Sequence, residues 1–199
     1  MTHTDGITTP ERRHMGLFDW LRKNERGQNG DARKWRDAWT SAVATLDADA
    51  FEALDAALHP HPPFADDVEI EEEMLDGLRQ LLALERELAA SRLPLIDTSH
   101  RVVGADRCHF SVPVSMPDDP AQPTGRLLLT STRAVFAGGA RTPAVPWHAA
   151  GEVGHAGRDL LVALRNGEAQ RFRCNSFADA LCGAAIARHL MRQARSARL

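Results

Sequence analysis

The dipeptide Asn166-Gly167 constrains this chain more than any other feature, because it separates two runs of strand character, Leu160 to Arg165 and Glu168 to Cys174. Asn-Gly between two such runs is the strongest short-range sign of a β-hairpin, since a tight two-residue turn needs positive φ at both central positions. Along the second run Phe172 and Cys174 point to one face and Arg171 and Arg173 to the other. Ser176, with Asp179 three residues on, then forms a capping box, which marks a helix start. The helix is expected to bury Leu181, Cys182, Ala185, Ile186 and Leu190. Arg188, Arg192, Arg195 and Arg198 suit the negative end of its dipole.

Strand character extends upstream to Leu95. Leu95 to Val103 and Cys108 to Val114 read as strands around the turn Gly104-Ala105-Asp106. A polar loop from Met116 to Thr124 follows, then Arg126 to Thr130 and Arg133 to Ala137 joined by Ser131-Thr132. Gly138-Gly139 breaks the chain, and Val145 to Trp147 and Glu152-Val153 read as short strands. Within this region Gly125 to Gly138 has the pattern G-x-L-x-L-T-x-x-R-x-x-F-x-G. That pattern resembles the second and third strands of GRAM and bacterial PH-like domains, and the resemblance covers about residues 107–192. It implies a bent, seven-strand, barrel-like sheet with one open end plugged by the helix, and a role in binding lipid headgroups, peptides or proteins. Phosphoinositide-binding members place cations around the loop joining their first two strands. Here that loop holds Asp118 and Asp119 and no Lys or Arg, and two carboxylates repel an anionic headgroup. Arg126, Arg133 and Arg141 offer another cationic surface, read as solubilising.

The rest of the chain is expected to be helical. Residues 1–30 read as a tail containing the amphipathic stretch Met15 to Lys23, which is suited to docking on its own protein, docking on a partner, or lying at a membrane surface. Met15 is also an alternative start, and the myristoylation pattern fails because Trp20 holds the Ser/Thr position. Residues 31–94 read as an acidic helical region, and 95–199 as the sheet domain with its helix. A first helix is expected from near Ala32 to Leu46, capped by Asp31, with Trp35, Trp39, Val43 and Leu46 on one face. A second runs from about Ala50 to Leu58 and is stopped by His59-Pro60-His61-Pro62-Pro63. The third, from Asp66 or Asp67 to about Ser91, carries Met74, Leu78, Leu81 and Leu88 as its stripe. Glu69 to Glu73 are read as its solvated face and not, with His59 and His61, as a metal site.

The fold class is therefore α+β: N-terminal helices followed by an antiparallel β-barrel or roll of PH/GRAM-like type closed by a C-terminal helix. Charge divides between the halves, at −8 over residues 1–96 and +5 over 97–199. The halves are thus suited to face each other or to meet a charged partner. No basic run is interleaved with aromatics, so no nucleic acid is expected. The absence of an apolar run long enough to span a bilayer and of a signal-peptide core in the first thirty residues points to the cytoplasm, with peripheral contact at the inner membrane face. Three scattered cysteines, Cys108, Cys174 and Cys182, agree with that compartment and read as buried thiols. The Arg- and Ala-rich composition points to a GC-rich bacterial genome.

No nucleophile, phosphate-loop, dinucleotide or metalloprotease motif is present. Cys108 and His109 are adjacent and would face opposite ways on a strand, and His148 and His155 flank a bend. No catalytic residue, metal or cofactor is assigned. The expected role is a non-catalytic adaptor that binds a protein partner or a membrane surface. The alternative is an assembly protein that self-associates through its third helix and the Trp35/Trp39 stripe, and an enzyme is the third reading.

Overall fold

The computed structural model describes residues 32–58, 68–98, 100–138 and 142–197. The tail stretch Met15 to Lys23, the Asp31 cap, the His59 to Pro63 stop, Asp66, Asp67, Gly139, Arg141 and Arg198 lie outside those residues. Helix α1 spans 32–45 and ends where Leu46 takes φ 55°. The Asp47 carboxylate then accepts from the Asp49 and Ala50 N–H groups at 2.9 and 3.1 Å, which starts α2 (Ala48–Leu58) earlier than the apolar spacing implies. Helix α3 is Val68–Ala89. Its stripe of Met74, Leu75, Leu78, Leu81, Leu82 and Leu88 packs with Trp39, Ala42, Val43 and Leu54 into a helical core.

The indoles expected on one face are used inside the chain. Trp39 Nε1 donates to the Met74 carbonyl at 2.7 Å and Trp35 Nε1 to that of Leu54 at 3.1 Å. Trp39 is buried and Trp35 partly buried in the helical core, while Leu46 at the end of the same stripe is exposed.

Seven strands follow: β1 (Cys108–Ser115), β2 (Thr124–Thr130), β3 (Arg133–Ala137), β4 (Ala144–Pro146), β5 (Ala150–Ala156), β6 (Asp159–Leu164) and β7 (Ala169–Cys174), then α4 (Phe177–Ser196). They form one antiparallel sheet in the order β4-β3-β2-β1-β7-β6-β5, with β4 and β5 as its two edges. The fold is α+β, and the sheet is an open roll and not a closed barrel. Its concave face holds Leu127, Leu129, Phe136, Trp147, Leu160, Val162 and Phe172, closed by Ala180, Ala184, Ala187, Leu190 and Met191 of α4. Gly183 lets that helix come close, since a Cβ there would stand 2.7 Å from Leu160 Cδ1 and 2.9 Å from Phe110 Cε1.

Three readings of the sequence are corrected. The segment 95–103 is not a strand: Ile96 makes a single bridge to Cys108, and a string of turns follows. Its apolar residues Ile96, Val102 and Val103 instead cover the convex face of the sheet against Cys108, Leu128 and Val135. The Asn166-Gly167 hairpin is present, but only Gly167 has positive φ, at 91°. Gly167 N–H donates to the Leu164 carbonyl at 3.1 Å, closing a type I turn followed by a glycine bulge. The acidic start of α3 is not a uniformly solvated face. Glu69 and Glu72 are exposed, whereas Glu71 is buried and pairs with Arg36 at 2.6 Å. Glu73 accepts the Phe177 N–H at the start of α4 at 2.9 Å and pairs with Arg158. It thereby joins the third helix to the sheet domain with a carboxylate at a helix N-terminus, where negative charge is favoured. Ser176 caps α4 as expected, its hydroxyl accepting from Asp179 N–H at 3.1 Å.

Candidate functional site

The two sheet edges differ in what they offer. Strand β4 has three residues and ends at Pro146, the kind of short, proline-blunted edge that resists pairing. Strand β5 has seven residues, no proline, and, among the described residues, a partner only on its β6 side. Its far end is a two-residue hairpin of Gly157-Arg158, with Gly157 at φ 58° and Ala156 opposite Asp159. In such a hairpin the pair next to the turn exchanges hydrogen bonds and the pairs then alternate. Ala156 and Gly154 therefore bond inward to β6, while Val153 and His155 turn their N–H and C=O outward. The start of the edge is closed, because the Arg195 guanidinium donates to the Ala150 and Gly151 carbonyls at 3.2 and 2.8 Å. The open stretch is Glu152 to Ala156.

Helix α4 forms the wall beside this stretch and packs more extensively on β5 than on any other strand. Val153 points into the core, and His155, two residues on, lies on the same side near Arg188 of α4. Burial, and then the Arg188 charge, hold the His155 imidazole below its usual range, and its Nδ1 is buried with no partner among the described residues. Burial likewise depresses the Arg188 guanidinium, opposed by Glu85 of α3 and reinforced by Arg192. On the opposite face Gly154 leaves open space, since a Cβ there meets nothing within 4 Å.

The acidic loop between β1 and β2 is occupied by its own chain. Asp118 pairs with Arg171 of β7, and Asp159 holds Arg173 at 2.8 and 3.0 Å and lies 3.6 Å from Arg171. The arginines nearest that loop are thus neutralised by carboxylates of the same surface. Arg126 donates to Ser111 Oγ and its carbonyl, both at 3.1 Å, and Arg133 to the Val102 carbonyl at 3.1 Å. Both are thus held by acceptors of their own chain.

The histidine next to Cys108 has a role that spacing did not reveal. A bulge in β1 at His109 re-aims its ring. Nδ1 lies 2.6 Å from the Pro94 carbonyl and Nε2 2.9 Å from Ser131 Oγ. This resembles a hydroxyl–imidazole pair, but the surrounding amides are spent. Ser131 N–H donates to the Arg107 carbonyl, Thr132 N–H to Asp106 and Arg133 N–H to Thr130 Oγ1. These three amides therefore do not form a donor pair for a developing oxyanion. Among the described residues no group of three or more His, Cys, Asp or Glu side chains could hold a metal ion.

The thiols are placed for packing. Burial pushes Cys174 and Cys182 up to about 12 and raises Cys108. At pH 8 a thiol of that kind is roughly 0.01% thiolate, and only the thiolate alkylates. Iodoacetamide is therefore expected to label none of the three in the native chain within an hour and all three in denaturant, read by intact mass. Rapid native labelling would refute that placement.

Neither a protein-family model nor a curated protein matches the chain. Solved structures resemble it weakly, two of them as follows. One is the C-terminal domain of an unknown protein from Leishmania infantum, at 10% identity and TM-score 0.40, over 45% of this chain and 89% of that one. The other is an N-terminally truncated linker-DH/PH fragment of p115-RhoGEF, at 9% identity and TM-score 0.38, over 62% of this chain and 43% of the fragment. No described helix is long and apolar enough to cross a membrane.

Proposed function

We propose that this is a non-catalytic, adaptor-like binding protein with a PH-like sheet module, which takes an extended segment of a protein partner as an added strand along β5. The observation that carries this is the open Glu152 to Ala156 edge beside α4, with the backbone groups of Val153 and His155 facing outward. An exposed edge of this kind binds through main-chain hydrogen bonds, while alternate side chains of the guest supply specificity. The pairing of Asp118 with Arg171 speaks against an anionic headgroup at the β1–β2 loop. The helical half would then brace α4 from behind through Glu73 and leave β5 free.

The test is a selection from a phage-displayed library of random ten-residue peptides against the full chain. The substitution His155→Pro removes one outward donor without touching a β5–β6 hydrogen bond. The selected peptides are expected to bind it at least about tenfold more weakly, the worth of a main-chain bond and its neighbours. Asp118→Ala, away from the edge, is expected to bind as the unaltered chain does. A second measurement is amide exchange, in which peptide binding should slow Val153 and His155. Peptides that bind His155→Pro equally well and leave both amides fast would overturn the proposal.

A further inference from the structure

We infer that the segment added to β5 carries an acidic side chain that pairs with Arg188. This rests on the strand-addition reading and names the chemistry of its partner. The described arginines that pack into this surface mostly have assigned acceptors. Arg158 has Glu73, Arg171 has Asp118, Arg173 has Asp159, and Arg195 has two backbone carbonyls. Two arginines of α4 have no such acceptor among the described residues, Arg188 and the exposed Arg192, and of these only Arg188 is partly buried. It lies about two turns before Arg195 on the side of α4 that meets β5 at Ala150 and Gly151, yet among the described residues it forms no hydrogen bond or ion pair.

A cation partly removed from water without a partner is costly, and the cost is recovered when a carboxylate reaches it. The groups around Arg188 leave that place vacant. Arg192, one turn on, adds like charge. His155, facing it from β5, is held toward its neutral form and competes for no anion. Glu85 of α3 acts on Arg188 through space without forming an ion pair. In an added strand every second side chain points to the α4 side. An Asp or Glu in that register meets a guanidinium able to take it in a two-pronged bond.

The peptides selected above provide the test. They are expected to share an Asp or Glu at one fixed position among β-branched neighbours. Changing that acid to Gln should weaken binding to the unaltered chain about tenfold, and Arg188→Gln should do the same. Both changes together should cost no more than either alone, the signature of one shared contact. The melting temperature of Arg188→Gln checks that it folds. Peptides that depend on the β5 edge but show no acidic preference, or a cycle in which the two losses add, would overturn this inference and leave strand addition standing. Peptides indifferent to His155→Pro would remove both. Arg188-dependent flotation on phosphatidylserine vesicles, with no peptide preference, would assign the arginine to a lipid headgroup and also overturn it.

Discussion

Replacing Trp147 by Ala should cost about 3–5 kcal/mol of stability, the range for emptying a buried indole site. Trp147 is fully buried where β4 meets the concave core, and among the described residues no other side chain of comparable volume is so completely enclosed. Its ring N–H donates to the Thr130 carbonyl at 2.8 Å and its backbone N–H to that of Thr132 at 3.0 Å. It thus supports the turn between β2 and β3 from below, while Thr130 Oγ1 organises that turn from within by accepting from Arg133 N–H at 3.1 Å. Trp147→Phe keeps most of the packing and removes only the indole donor. It should cost about 1–3 kcal/mol, the penalty of an unmatched buried carbonyl plus a small volume loss. Urea unfolding of both variants measures the two parts. A loss below about 1.5 kcal/mol for Trp147→Ala would mean that the site collapses and that the indole is not the support described.

The second large effect is expected at Gly138. A Cβ there would lie 2.6 Å from the Thr124 carbonyl oxygen, 2.8 Å from Gly125 Cα and 2.8 Å from Phe136 Cζ. The reciprocal Cβ on Gly125 would lie 2.5 Å from the Ala137 carbonyl oxygen and 2.8 Å from Gly138 Cα. Both glycines face each other across β2 and β3 with the Phe136 ring over them, and backbone atoms cannot yield as a flexible side chain can. Gly138→Ala and Gly125→Ala should each cost about 1–3 kcal/mol, as overpacking does. The double variant should cost less than their sum, because one separation of the strands relieves both clashes. Gly154→Ala, which meets nothing within 4 Å, should leave stability within about 0.5 kcal/mol. Additive losses at Gly125 and Gly138 would show that the two are independent.

Those two glycines bound the sequence pattern that suggested the sheet, and their positions explain how much of the fold could be read from the chain. Local chemistry was legible. Ser176 marked the start of α4, the Asn166-Gly167 hairpin fell in place, and the leucines of β2 alternated with the pleat. The turn type was missed because the loop holds one residue more than the tight form, which relieves Asn166 of positive φ. The strand expected over 95–103 failed because apolar residues that cover a sheet look like those that pair within it. Glu71 and Glu73 were read as solvated because their partners Arg36, Arg158 and Phe177 are 35, 85 and 104 residues away. The open edge of β5 and the unmatched charge of Arg188 follow from strand order. No local pattern encodes that order.

Helix α4 gives one face to the sheet core through Leu190 and Ala187 and another to the helical core through Leu181 and Ala185. It is also the last described element in the chain. During synthesis both apolar surfaces would therefore stand uncovered until residues near 190 have left the ribosome, however early the strands and first helices form. Neither core can be completed before that helix arrives, so the two halves share one final folding step.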